Sequence, residues 1–105
     1  MRWLYVTGLL AAGAVAPAWA TDAAQELVKA SGCLSCHSVS EKVVGPAFAK
    51  VAEKYAGEAD AAASIAQSIQ YGSKGKWGRI PMPAHPSLSA DDLKTLAQWV
   101  LAAKP

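Results

Sequence analysis

The chain has 105 residues, too few for two ordinary domains, and its ten basic residues against eight acidic ones give a formal net charge of +2. That near balance argues against nucleic acid as a partner. Both cysteines stand in one short stretch, so no disulfide framework links distant parts of the chain.

The first twenty residues read as an address. Arg2 gives a positive start, no residue from Trp3 to Ala20 is charged, and Ala18-Trp19-Ala20 has the small-x-small form that signal peptidase cuts. The competing reading, an uncleaved anchor, needs an apolar run of about 20 residues. Pro17, Gly8 and Gly13 count against it. The expectation is a cleaved signal over residues 1–20, a mature domain over 21–105 and no stable membrane insertion after cleavage. At that size an apolar core gives slender stability, and natural domains often add a covalent or metal staple.

Asp22 is placed to cap a first helix, with Gln25 three residues on and Ala23, Leu27 and Ala30 at helical spacing until Gly32. Leu27 and Val28 read as core. The helix delivers the chain to Cys33-Leu34-Ser35-Cys36-His37, the pattern of c-type haem attachment: thiols one turn apart each reach a vinyl group, and the next imidazole lies under the iron. A Cys-x-x-Cys redox pair and a zinc site with His85 compete with that reading. Neither needs His37 directly after Cys36, and export would permit a Cys33–Cys36 disulfide.

Ser38 to Pro46 reads as a loop, because Gly45-Pro46 forbids a helix through it. A ligating histidine usually donates its other ring N–H to a nearby acceptor. The Pro46 carbonyl is one candidate, and a simple turn proline is the other reading of that residue. Phe48, Val51, Ala52 and Tyr55 then share a helix face closed by Gly57; Asp60 is placed to cap another helix carrying Ala61, Ile65, Ser68 and Ile69 to Tyr71-Gly72. These are core stripes, and Phe48, Ile65 and Ile69 would wall a haem.

Gly72 to Pro86 has too many glycines and prolines for regular structure, yet holds Trp77, Ile80 and Met82, so an ordered, packed loop is expected. Ser89 then caps a last helix with the stripe Leu93, Leu96, Ala97, Val100 and Leu101. No stretch alternates long enough to seed a sheet. The predicted class is all-α, four to five short helices around one covalently bound haem, which counts against a thioredoxin-like thiol enzyme.

With His37 on one face of the iron, the opposite ligand decides the function. Met82 is the only thioether outside the export segment and stands between Pro81 and Pro83, whose fixed φ angles restrict the loop; gap-filling core packing is its other reading. His85 is the rival ligand. Histidine plus methionine fills both axial sites and leaves electron transfer, whereas a haem peroxidase needs an open position. Lys29, Lys42, Lys50, Lys74, Lys76 and Arg79 are available to steer an acidic partner, each also readable as an ordinary solvated cation.

Over residues 22–105 the chain resembles the small bacterial monohaem class I cytochromes c of the c-551 type. The resemblance rests on Gly32-Cys33-x-x-Cys36-His37, Val44-Gly45-Pro46-Ala47, Gly72-Ser73-x-Gly75-x-Trp77-Gly78-x-Ile80-Pro81-Met82-Pro83 and Leu96-Ala97-Gln98-Trp99-Val100-Leu101. It implies haem c thioethers at Cys33 and Cys36, iron ligands His37 and Met82, a Pro46 carbonyl accepting from His37, and a Trp77 indole bonded to a haem propionate. It also implies a first helix packed on the last. The function implied is that of a periplasmic, monomeric electron carrier, not an enzyme, docking transiently between a cytochrome bc1-type donor and a nitrite reductase or terminal oxidase. Two positions depart from the pattern: many relatives have asparagine where His85 stands, and some have a propionate-binding basic residue where Ser68 stands. Both bear on the tuning of the potential.

Overall fold

The computed structural model describes Gly8 and residues 18–105. The export segment expected over residues 1–20 therefore lies outside the described residues, apart from Gly8 and positions 18–20. Among the described residues there are four α-helices and no strand: α1 (Ala18–Ala30), α2 (Phe48–Tyr55), α3 (Ala61–Tyr71) and α4 (Ala90–Leu101), with a 3-10 turn at Cys33–Ser35 between α1 and α2. None of these helices is long and apolar enough to cross a membrane.

The core is where the stripes meet. Phe48, Val51 and Tyr55 of α2, Ala61, Ile65 and Ile69 of α3, and Leu93, Leu96, Ala97 and Val100 of α4 are buried together with Val28 of α1. Helix α4 packs on each of the other three, and its contact with α1 is the first-on-last packing that the resemblance implies. Leu96 and Ala97 retain 1% and 0% of their exposure, so α4 has no slack on its inner face. Its start is fixed locally: the Ser89 hydroxyl accepts from the Asp92 N–H at 3.1 Å, and Asp91 and Asp92 complement the dipole in the first turn.

Two expectations at the chain start are corrected. Helix α1 begins at Ala18, so Asp22 lies inside it rather than capping it. Alanine is the strongest helix former, and nothing between Ala18 and Asp22 interrupts the backbone bonds. The inner face is also rotated by one position: Ala24 and Val28 are buried with Leu27 against the cluster, while Ala23 and Ala30 are exposed. At the head of α3, Asp60 occupies the capping position without a side-chain bond to the helix.

Candidate functional site

The helices and the two long loops enclose a cavity of about 570 Å³, within the range of roughly 300–1,000 Å³ typical of ligand and cofactor sites. Its inner wall is apolar, formed by Phe48, Val51, Ile65, Ile69, Leu96 and Val100. Cys33, Cys36, His37, Pro46, Trp77 and Met82 all line it, so the six residues expected to bind the cofactor share one cavity.

Gly32, at φ 75° and ψ 15°, turns the chain from α1 into the 3-10 turn that carries the thiols. The Cys33 carbonyl accepts from the N–H groups of both Cys36 (3.2 Å) and His37 (3.0 Å), winding the motif into one turn. Burial pushes the Cys33 thiol up from its ordinary value, with a backbone hydrogen bond opposing it. Redox-enzyme cysteines need the reverse, a lowered pKa that populates the thiolate.

His37 is held on three sides. Its Nδ1–H donates to the Pro46 carbonyl at 2.7 Å; a carbonyl only accepts, so Nδ1 carries a proton, and in the neutral ring Nε2 is then the nitrogen that keeps a lone pair. The ring stacks on Phe48 at 4.8 Å and 25°, and Phe48 meets Trp99 edge-on at 5.1 Å. Gly45 supplies the third side: a Cβ there would stand 2.5 Å from the ring's Cε1. The backbone brings these pieces together through the Cys36 carbonyl, which accepts from Val44 (3.1 Å) and Gly45 (2.7 Å).

Met82 arrives from the opposite loop. Ser73 and Met82 exchange both backbone hydrogen bonds, at 3.1 and 2.8 Å, and His85 N–H reaches the Ile69 carbonyl at 2.9 Å, so the loop is pinned to the end of α3. Gly72 permits this: at φ 80° its missing Cβ would lie 2.6 Å from the Met82 carbonyl. Met82 and His85 are both half-buried on the cavity, and His85 Nδ1 is buried without a hydrogen-bond partner. Trp77 is 38% exposed with its ring 4.7 Å from Lys54 Nζ, and Ile80 is 67% exposed.

The six cations considered for steering divide. Lys29 pairs with Glu26 at 3.6 Å and Lys50 with Glu53 at 3.3 Å on their own helices, Lys42, Lys76 and Arg79 line the cavity, and Lys74 is exposed without lining it. Sequence reasoning missed three features: the ring-backing role of Gly45, the Lys54–Trp77 contact and the hydrogen bond from Lys76 to Ser68. Gly45 carried a signal in its place beside Pro46, but the other two join distant segments without a local pattern.

Thiols one turn apart, an imidazole with a free Nε2 and an apolar cavity are the donor set and the space that a covalently held iron porphyrin requires. A structural zinc site fits less well, since among the described residues no three of His, Cys, Asp and Glu converge. These features define a helical haem-binding domain.

The comparisons with known proteins agree. Residues 21–104 match the family model "Cytochrome c". Cytochrome c-551 of Pseudomonas aeruginosa is 50% identical over 102 residues, covering 96% of this chain and 92% of the relative. Cytochrome c-552 of Nitrosomonas europaea is 45% identical over 102 residues, covering 97% and 96%. The crystal structure of wild-type Nitrosomonas europaea cytochrome c552 superposes with a TM-score of 0.73 at 48% identity, over 76% of this chain and 99% of that one. The class 1 cytochrome MtoD of Sideroxydans lithotrophicus gives a TM-score of 0.66 at 32% identity, over 77% and 92%. The chain belongs to the cytochrome c family, as a small class I member. It is an electron carrier rather than an enzyme, and its cofactor is covalently attached haem c, for which Cys33 and Cys36 supply the Cys-x-x-Cys-His motif.

Proposed function

We propose that this carrier works with its iron held between His37 and Met82 after export to the periplasm. The observation that carries the reading is the bond from His37 Nδ1 to the Pro46 carbonyl at 2.7 Å, which reserves Nε2 for a metal while Met82 lines the same cavity from the facing loop. When bound, the haem supplies an iron that alternates between ferrous and ferric forms. Cys33 and Cys36 would carry its thioethers, and Trp77 would bond a propionate.

The chain's own contribution is restraint. Gly45, Phe48 and the Pro46 carbonyl keep the imidazole from rotating, so little reorganisation accompanies a change of charge at the metal. Met82 would close the sixth position and exclude oxygen or peroxide, and a thioether ligand favours the reduced form. Ile65, Ile69, Leu96 and Val100 keep water from the buried face.

The cavity's mouth is the face on which electrons would pass. Leu34, Val43, Val44 and Ile80 are large, apolar and exposed, as a brief docking surface needs. Such a surface suits a monomer that meets a bc1-type donor and then a nitrite reductase or terminal oxidase. Residues 1–20 would be removed on export.

Visible spectra of the exported protein before and after dithionite test the reading. The expected result is a low-spin spectrum whose ferric form shows the weak sulfur-to-iron band at the red edge, lost in Met82→Ala and kept in His85→Ala. A band lost in neither variant, or a high-spin ferric spectrum, overturns it.

A further inference from the structure

Resting on that haem-carrying reading, we propose that Lys76, positioned by Ser68, is the charge partner of a haem carboxylate at the rim of the cavity. Haem is an apolar disc with two carboxylates, and burying a carboxylate without a partner is costly. A cavity that accepts the disc must therefore present cations or donors at one edge of its otherwise apolar wall.

That edge is marked by a short relay. Lys76 Nζ donates to Ser68 Oγ at 3.1 Å, and Ser68 Oγ donates to the Ser64 carbonyl at 3.3 Å. The hydroxyl proton is thus committed to α3, and the oxygen's lone pairs face the ammonium. An ammonium has three N–H donors, of which Ser68 takes one.

No carboxylate meets the remaining two. Among the described residues the ion pairs involve only Lys29 with Glu26 and Lys50 with Glu53. Ser68 and Lys76 both line the cavity, and Ser68 is the polar exception on an α3 face otherwise formed by Ile65 and Ile69. The neighbouring Trp77 lines it too, with Lys54 Nζ held 4.7 Å above its ring. A second cation with no acid partner thus stands at the same corner.

Fixing a flexible lysine costs side-chain entropy, and one neutral hydroxyl in reach of water offsets little of it. An anion inside the rim accounts for the arrangement, and the carboxylate of the cofactor is the anion this cavity would receive. A positive charge fixed there favours the reduced iron, whose charge is lower by one.

The test is an equilibrium redox titration of the haem-loaded protein against a reference couple, with haem content and visible spectrum recorded for each variant. Lys76→Gln is expected to move the equilibrium toward the ferric form by roughly two- to fivefold, the size typical of a solvent-exposed ion pair. Lys76→Arg is expected to restore it, and Ser68→Ala to give part of the Lys76→Gln shift. A wild-type equilibrium in Lys76→Gln overturns the proposal and leaves the haem reading intact, as does a variant altered only in its rate with an acidic partner. A wild-type chain that takes up no haem overturns both.

Discussion

The two walls of the cavity are built differently. The His37 wall is assembled by the protein from within: the Cys36 carbonyl gathers Val44 and Gly45, Phe48 N–H reaches the Ser38 carbonyl at 2.9 Å, and the imidazole is gripped by a carbonyl, an aromatic ring and a glycine. The Met82 wall hangs on three backbone hydrogen bonds, two to Ser73 and one from His85 to Ile69, while Trp77 and Ile80 stay exposed. One wall holds its ligand in a packed setting. The other is a loop with few buried apolar contacts, the kind of segment that opens at low free energy. The methionine side is therefore the side expected to yield first under denaturant, with His37 still in place.

The largest test removes what the walls share. Leu96 is 1% exposed on the helix that packs against all the others, and Leu96→Ala is expected to cost about 2–5 kcal/mol as a truncation in a close-packed core. Denaturant unfolding followed by helical circular dichroism measures it. Both walls should then be lost in one transition, whereas wild type should lose its sulfur-to-iron band before its helices.

Gly45→Ala strikes the histidine wall alone. The new Cβ would stand 2.5 Å from His37 Cε1, and with backbone on one side and Phe48 on the other the ring has little room to retreat. Overpacking of this kind costs about 1–3 kcal/mol. A displaced ring also loses its bond to Pro46, so the potential should change along with the stability. A variant with wild-type stability and potential would show that the grip on His37 is looser than the structure draws it.

The unequal walls also explain what could be read in advance. The stripes of α2, α3 and α4 are local, three or four residues apart, and most of the residues they single out are buried, with Ala52, Ser68 and Leu101 half-buried; the Ser89 cap and the glycine stop at Gly57 are local signals too, and both are found at exposed helix ends. Alanine misled at α1: a run containing Ala18, Ala20, Ala23, Ala24 and Ala30 offers several faces of equal hydrophobicity, and only packing against α4 selects Ala24 over Ala23 and Ala30, whereas Val28 is buried as its reading as core predicts. Pro46 stood between two readings until the hydrogen bonds of the Ser38–Pro46 loop placed its carbonyl beside His37. The link from Lys76 to Ser68 joins a loop to a helix, and no periodicity reports such a meeting.

Gly72→Ala is the matching change on the methionine wall. An alanine at φ 80° carries the left-handed penalty of about 1–2 kcal/mol, and its Cβ would lie 2.6 Å from the Met82 carbonyl. The predicted signature is selective: the ferric sulfur-to-iron band weakens or disappears while helical circular dichroism stays near wild type. Loss of helix in proportion to the band would mean that the two walls unfold as one unit.

The smallest change serves as the control for all of these. Ser89→Ala deletes the hydroxyl that accepts from Asp92 N–H at 3.1 Å, a capping loss of typically ~1 kcal/mol. Ser89 does not line the cavity, so α4 is weakened without a side chain at either wall being touched. Stability to denaturant should fall by that amount with the potential and the sulfur-to-iron band unchanged at low denaturant. Because α4 packs against α1, α2 and α3 alike, the gap between loss of the band and loss of the helices should narrow as the second transition moves toward the first. A gap that widened instead would place the weak point in α4 and remove the basis for contrasting the two walls.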